Sequence, residues 1–281
     1  MIQTIGILGA GVMGGGIAQM FAEKDFNVLL WDVEAAIAAS GFEKIKTRLM
    51  KSAEKGKIEI SAAEAIISRI RPVASLSEMP KAGLVVEAVV ENINVKAELY
   101  RSLEKIISPD AIVGTNTSSL SVEALSENWQ RPERFMGIHF FNPPTKLELV
   151  ELIQARKTSA EAIEKVKEIL KKCGKTTVDV KDSPGFIVNR LLLPMINEAA
   201  KLLDSGVADA SAIDTAMRLG SLHPTGPLEL ADLIGLDVCQ KILESMELSL
   251  KNPFYEPAKA ITERVAKGEL GRKSGSGFYK Y

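Results

Sequence analysis

Apolar residues along this chain change spacing in a way that separates strands from helices. Residues 2–8 form a short apolar run of strand length, and Gly9-Ala10-Gly11-Val12-Met13-Gly14 follows it. From about residue 12 to about 24, Ile17, Met20 and Phe21 fall on one side at helical spacing. The next apolar run, 27–31, is again of strand length and ends at Asp32. Strand, helix and strand within about thirty residues make a βαβ unit. No charge occurs between Ile5 and Phe21, which an export signal or a membrane span would share. No basic segment precedes the run, however, and Gly6, Gly9, Gly11, Gly14, Gly15 and Gly16 are too many for an apolar helix.

Phe42, Ile45 and Leu49 recur at helical spacing, and Ser61-Ala62-Ala63-Glu64 reads as a capping box, so a helical pair is expected near 40–70. Strand-like runs return at 83–90, 111–114, 135–140 and 147–153, with helical stretches near 95–107 and 122–128. Thr158-Ser159-Ala160-Glu161 caps a helix that turns Ile163, Val166 and Ile169 inward and stops at Gly174. Residues 176–180 read as a last strand. Strands alternating with helices predict an open, mostly parallel α/β sheet. After Asp182-Ser183-Pro184-Gly185 the pattern becomes helical, with breaks at Gly206, Gly220, Pro224, Gly235 and Pro253 and no convincing strand. The expected organisation is an α/β domain over 1–183 and a smaller all-α domain over 184–281.

Composition narrows the partners. The 281 residues carry 35 Lys+Arg against 36 Asp+Glu, a net charge of −1, which gives no electrostatic case for nucleic acid. With 46% hydrophobic residues the chain can build cores and is not disordered. Cys173 and Cys239 lie in unrelated segments, with no CxxC or Cys/His cluster, so neither a metal site nor a disulfide is expected. Both read as small core residues near helix ends. A cytoplasmic protein without a membrane partner fits these features.

Gly9-x-Gly11-x-x-Gly14 gains weight from its setting. It follows a strand, opens a helix, and has Asp32 at the end of the next strand, 23 positions after Gly9 and close to the ~20 that a dinucleotide site requires. Gly9 permits the tight turn, Gly11 lets the backbone approach a pyrophosphate, and Gly14 lets helix and strand pack closely. The backbone N–H groups of Val12 and Met13 then face the phosphates at the positive end of the helix. Asp32 accepts from ribose hydroxyls and repels a 2′-phosphate, which predicts NAD as cofactor.

Three further polar groups stand just past strand ends: Glu91-Asn92 with Lys96 in the next helix, Asn116-Thr117-Ser118-Ser119-Leu120, and His139-Phe140-Phe141-Asn142-Pro143. In an open α/β sheet that edge is where ligands bind. The chain has only two histidines. His139 suits proton abstraction because an imidazole titrates near neutral pH, and Glu151 lies on the neighbouring predicted strand. His223, in His-Pro-Thr-Gly-Pro, reads as a structural loop residue.

Together these segments resemble the 3-hydroxyacyl-CoA dehydrogenases, and most closely the bacterial 3-hydroxybutyryl-CoA dehydrogenases. Gly-Ala-Gly-Val-Met-Gly, Val-Val-Glu-Ala-Val-Val-Glu-Asn, Asn-Thr-Ser-Ser-Leu, His-Phe-Phe-Asn-Pro, Leu-Val-Glu, Pro-Gly-Phe-Ile-Val-Asn-Arg and Gly-Arg-Lys-Ser-Gly-x-Gly-Phe-Tyr occur in that order, from residue 2 to residue 281. The resemblance implies a Rossmann-type NAD-binding domain followed by a helical domain that forms a homodimer and helps bind substrate. It implies reversible, NAD-dependent oxidation of an (S)-3-hydroxyacyl-CoA thioester, short-chain by the closest wording. By position it makes His139 the general base, Glu151 its orienting carboxylate, and Ser118 and Asn189 substrate contacts. It places Glu91, Lys96, Ser118, Asn142 and Lys273 at NAD, and the helical pair at coenzyme A. In that pair Lys44, Lys46, Arg48, Lys51, Lys55 and Lys57 crowd one stretch, and Lys55 is the expected contact. Leu147, Glu148 and Thr225 depart from the family's usual wording. The alternatives are a dehydrogenase of a free hydroxy acid and a non-catalytic NAD-binding protein.

Overall fold

The structure, a computed structural model, describes residues 2–281. The chain divides into two compact units, one ending at Asp182 and the other spanning Ser183–Tyr281.

The first unit opens with β1 (Thr4–Leu8), α1 (Val12–Ala22) and β2 (Asn27–Trp31). The helical pair follows as α2 (Ala35–Glu54) and α3 (Ile60–Ser68). Then come β3 (Ile70–Val73), β4 (Leu84–Glu87), α4 (Ile93–Glu104), β5 (Ile112–Thr115), α5 (Val122–Ser126), β6 (Phe135–Phe140), β7 (Leu149–Gln154), α6 (Ala160–Lys172) and β8 (Thr176–Lys181). The eight strands form one sheet in the order β3-β2-β1-β4-β5-β6-β7-β8. Every pairing is parallel except β6 with β7. Strands covered on both faces need apolar side chains on both, which is why β1, β4 and β5 are unbroken buried runs. Ile17, Met20 and Phe21 of α1 and Ile163, Val166 and Leu170 of α6 pack in the same core as Ile5, Ile7 and Leu152.

Two local expectations are corrected. The capping box at Ser61 is absent: α3 begins at Ile60 with Glu59 as its cap residue, which leaves Ser61 inside the first turn. Ile58 and Ala63 both join the core around that turn, and this apolar pair straddling the entry sets where the helix starts. Strand β3 has no counterpart among the predicted strands. It is four residues long and contains Pro72, which an edge strand tolerates because one side has no partner to bond.

The second unit contains five α-helices, α7 (Val188–Asp204), α8 (Ala210–Gly220), α9 (Pro227–Ile234), α10 (Leu236–Leu250) and α11 (Lys259–Ala266). Leu193, Ile196, Leu228, Leu236, Leu243 and Ile261 fill its core. Cys173 closes α6 and Cys239 lies in the first turn of α10; both are free, and burial pushes each thiol up to about 12. Among the described residues no helix is long and apolar enough to cross a membrane.

The C-terminal tail is held by buried carboxylates. Asp232, on α9, accepts from the Phe278 and Tyr279 N–H groups, each at 2.9 Å, and from the Tyr281 hydroxyl at 3.1 Å. Asp214, on α8, accepts from the Leu228 and Glu229 N–H groups at the start of α9 and from the Tyr279 hydroxyl. A carboxylate at a helix N-terminus is favourably placed against the helix dipole. Asp232→Ala strands several of these donors and is expected to cost about 2–4 kcal/mol. Denaturant unfolding checks this, and an unchanged midpoint contradicts the anchoring role.

Candidate active site

Strand order reverses around β1, whose two neighbours are β2 and β4. A crevice opens at the carboxyl ends of the strands at such a point. The glycine turn lies there. Gly9 has φ +102°, which L side chains rarely adopt, and a Cβ on it would come 2.5 Å from the Ala88 carbonyl oxygen at the end of β4. A Cβ on Gly14 would fall 1.8 Å from the Gly9 carbonyl oxygen, so only glycine lets α1 start this close to β1. Around Gly11 nothing lies within 4 Å of where a Cβ would be, so the turn is open on that side. Gly11 also caps α1 without a side-chain bond. The first-turn N–H groups of Val12, Met13 and Gly14 therefore point toward the crevice without an intrahelical acceptor. Asp32 completes the turn: its Oδ2 accepts from Ala10 N–H at 2.7 Å and its Oδ1 from Val33 N–H at 2.8 Å. Close glycine packing, an uncapped helix start and a carboxylate past β2 together fit a dinucleotide with unmodified ribose hydroxyls.

The next strand end carries a charge cluster. Glu91 Oε1 accepts from the Ser118 and Ser119 N–H groups at 3.0 and 3.1 Å and from the hydroxyls of Thr117 and Ser119. Lys96 Nζ lies 3.2 Å from Glu91 Oε2. It also donates to both oxygens of Glu87 at 2.8 and 3.0 Å. Lys96 is only 1% exposed, so it is not a solvated surface lysine. Glu87 and Thr117 are also buried, and neither stood out as a site residue in the sequence. A carboxylate at the end of an apolar strand was the available signal for Glu87, since a buried charge requires partners. Asn116 ties the strand ends together by accepting from Phe140 N–H at 2.9 Å.

His139 and Glu151 face each other across the antiparallel pair of β6 and β7. Directly opposed residues put their side chains on one face about 5 Å apart. Nδ1 of His139 lies 2.7 Å from Glu151 Oε2, and both side chains are buried. A carboxylate only accepts, so the proton of this bond sits on Nδ1 and the Nε2 lone pair is the basic one. The Phe141 ring lies 4.6 Å from the imidazole and limits its swing. Asn142 is exposed just beyond, and Lys175 Nζ secures the same loop through the Pro144 and Leu147 carbonyls.

With glycine turn, charge cluster and imidazole–carboxylate pair at one sheet edge, comparison with known proteins is decisive. The family model described as 3-hydroxyacyl-CoA dehydrogenase, NAD binding domain, matches residues 4–183, and the model for the C-terminal domain of the same family matches 185–281. The chain belongs to the 3-hydroxyacyl-CoA dehydrogenase family. It is 43% identical over 280 residues to a probable 3-hydroxybutyryl-CoA dehydrogenase of Bacillus subtilis, covering 100% of this chain and 98% of that protein. It is 43% identical over 281 residues to a 3-hydroxybutyryl-CoA dehydrogenase of Bradyrhizobium diazoefficiens, covering 100% of this chain and 96% of that protein. The crystal structure of (S)-3-hydroxybutyryl-CoA dehydrogenase from Ralstonia eutropha superposes with a TM-score of 0.94 at 40% identity, covering 100% of this chain and 99% of that one.

The other expected site residues of this dehydrogenase are Lys55, Asn189 and Lys273. Lys55 ends α2, beside a groove lined by Ser40, Lys44, Thr47, Arg48 and Lys51, with Glu43 the one acid on its wall. Arg48 is braced there by a 2.6 Å bond to Gln19 of α1. In the helical unit, Asn189 is buried in the first turn of α7 and Lys273 is paired with Asp237.

Partial withdrawal from water raises the Glu91 pKa, but Lys96 and the donors of the Thr117–Ser119 turn outweigh it and hold the carboxyl below the usual range. A carboxyl depressed on folding stabilises the protein above its unfolded pKa of about 4.3 and loses that contribution as pH falls through the folded value. The stability gap between wild type and Glu91→Gln is therefore expected to be steady near neutrality and to shrink below about pH 4. Unfolding measured across pH checks this, and a gap that persists in strong acid contradicts it.

Proposed function

We propose that the protein catalyses NAD-dependent, reversible oxidation of a short-chain (S)-3-hydroxyacyl-CoA, with His139 as general base and Glu151 as its orienting carboxylate. The observation that carries this reading is the 2.7 Å contact between the two side chains at facing register positions. Bound NAD supplies the acceptor for the hydrogen and two electrons that leave C3. His139 Nε2 takes the hydroxyl proton as the carbonyl forms, and returns it in the reverse direction. Glu151 keeps the other ring nitrogen protonated and stabilises the imidazolium, as the buried acid does in a hydrolase triad. Ser118 offers a neutral hydroxyl to steady charge developing on the substrate oxygen. Asn189 has the same kind of role by its family position.

Gly9, Gly11, Val12, Met13 and Gly14 hold the pyrophosphate, and Asp32 holds the adenosine ribose. Glu91, Lys96, Asn142 and Lys273 complete the cofactor contacts in this reading, Lys96 through the charge it places on Glu91. The basic groove beside Lys55 attracts the phosphorylated ADP of coenzyme A, since several cations on one wall focus a field on an anion. The activities for which the relatives are named and the groove together favour the thioester over a free hydroxy acid. A homodimer is supported by large apolar side chains that the helical unit leaves exposed, among them Leu191, Leu219 and Leu222. A cytoplasmic setting fits two buried free thiols.

Rates of NADH oxidation with acetoacetyl-CoA, longer 3-ketoacyl-CoA thioesters and free acetoacetate test the substrate class. Turnover is expected with the thioesters and highest with the shortest. His139→Gln is expected to lower kcat about 10²–10⁴-fold, the range of general acid–base catalysis, while NADH affinity measured by fluorescence stays within about threefold. Wild-type turnover in that variant contradicts the mechanism.

A further inference from the structure

Glu87 is fully buried at the last position of β4, opposite Thr115 in the parallel register with β5. Its carboxylate accepts from Lys96 Nζ with both oxygens, from the Tyr100 hydroxyl at 2.6 Å, from the Thr115 hydroxyl at 2.8 Å and from Val89 N–H at 2.8 Å. An ammonium has three protons. Lys96 has three acceptor oxygens around it: two on Glu87 and Oε2 of Glu91. Glu91 in turn divides its oxygens. Oε2 meets Lys96, and Oε1 gathers the turn from Thr117 to Ser119. A continuous chain of charge-assisted bonds thus runs from Glu87 through Lys96 and Glu91 to the backbone N–H of Ser118.

A buried ion pair is a poor device for stability alone, because an apolar pair of similar volume often serves as well or better. What an apolar pair cannot supply is direction: a charge held on one side by Glu87 so that it also pairs with a second carboxylate, Glu91. We propose that Glu87 is a positioning residue for the dehydrogenase reaction, fixing Lys96 and Glu91 so that the turn bearing Ser118 is held in its productive place. This rests on the reading of Ser118 as a substrate contact. Glu87 touches neither substrate nor cofactor in this account. It acts only through the turn, and a misplacement on the order of 1 Å there is enough to slow the reaction severely.

The test is a double-mutant cycle read in kcat for acetoacetyl-CoA reduction at saturating NADH. Glu87→Gln keeps the volume but removes the charge and one acceptor oxygen. It is expected to lower kcat at least about tenfold in the wild-type background and less than about twofold in Ser118→Ala, where the group being positioned is gone. Tyr100→Phe deletes a different bond to the same buried carboxylate and leaves the Lys96–Glu91 path intact. It is expected to lower the unfolding midpoint while kcat stays within about twofold. If Glu87→Gln alone does not fold, Glu87→Asp, which keeps the charge but draws the carboxylate back from Lys96, enters the same cycle with the same expected outcome. Equal fractional losses with and without Ser118, or wild-type kcat in a folded Glu87→Gln protein, overturn the proposal. A wild-type protein inactive on acetoacetyl-CoA fails at the first step and overturns the substrate reading, and this proposal with it. Variants alone failing the cycle leave the substrate reading standing.

Discussion

The one antiparallel pairing in the sheet puts an imidazole opposite a carboxylate. Six of the seven strand pairings are parallel, and a parallel neighbour in sequence needs a long crossover, as between β5 and β6; the short connection after Phe140 instead sends β7 back along β6. In that register position 139 meets position 151, and their side chains share a face. A shift by one residue would turn Glu151 to the other face and leave His139 opposite an apolar side chain. The apolar residues on either side of the pair, Ile138, Phe140, Val150 and Leu152, belong to the core and resist such a shift. Hydrophobic packing thereby fixes a proton's location on one ring nitrogen.

The other groups at that sheet edge obey a related constraint, because polar groups there must be satisfied as the chain leaves a buried strand. Asp32 binds the amide of Ala10, Glu91 the amides of Ser118 and Ser119, and Asn116 that of Phe140. Each bond ties one strand end to its neighbour. The edge is preorganised by its own hydrogen bonds, and little ordering is left for a ligand to accomplish.

Much of this was legible in the sequence where geometry leaves one choice of residue. Only glycine fits at positions 9 and 14, so the turn is legible from the glycine spacing taken with the strand before it, the helix after it and Asp32. Strands β2 and β6 run over the predicted residues because their apolar runs are bounded by polar or turn residues on both sides. The start of α3 departs from the capping pattern because two apolar contacts outweigh a serine with capping potential, and β3 leaves little trace because four residues with a proline carry little pattern. The Glu87–Lys96–Tyr100 cluster was hidden for another reason. Its members are nine and thirteen positions apart, on a strand and on the helix after it, and only the packing of α4 against the sheet brings them together. The resemblance to the family named His139 and Glu151 in advance; the register explains why those two positions can serve as a pair.

The most direct measurement of the central claim is nitrogen-15 NMR of the imidazoles. The chain has only His139 and His223, so a His223→Gln protein leaves one histidine to observe. For the neutral ring the account predicts a proton on Nδ1 of His139 and none on Nε2, with the Nδ1–H resonance shifted far downfield by Glu151 and moved back in Glu151→Gln. A neutral ring protonated on Nε2, or a spectrum indifferent to Glu151, would contradict it.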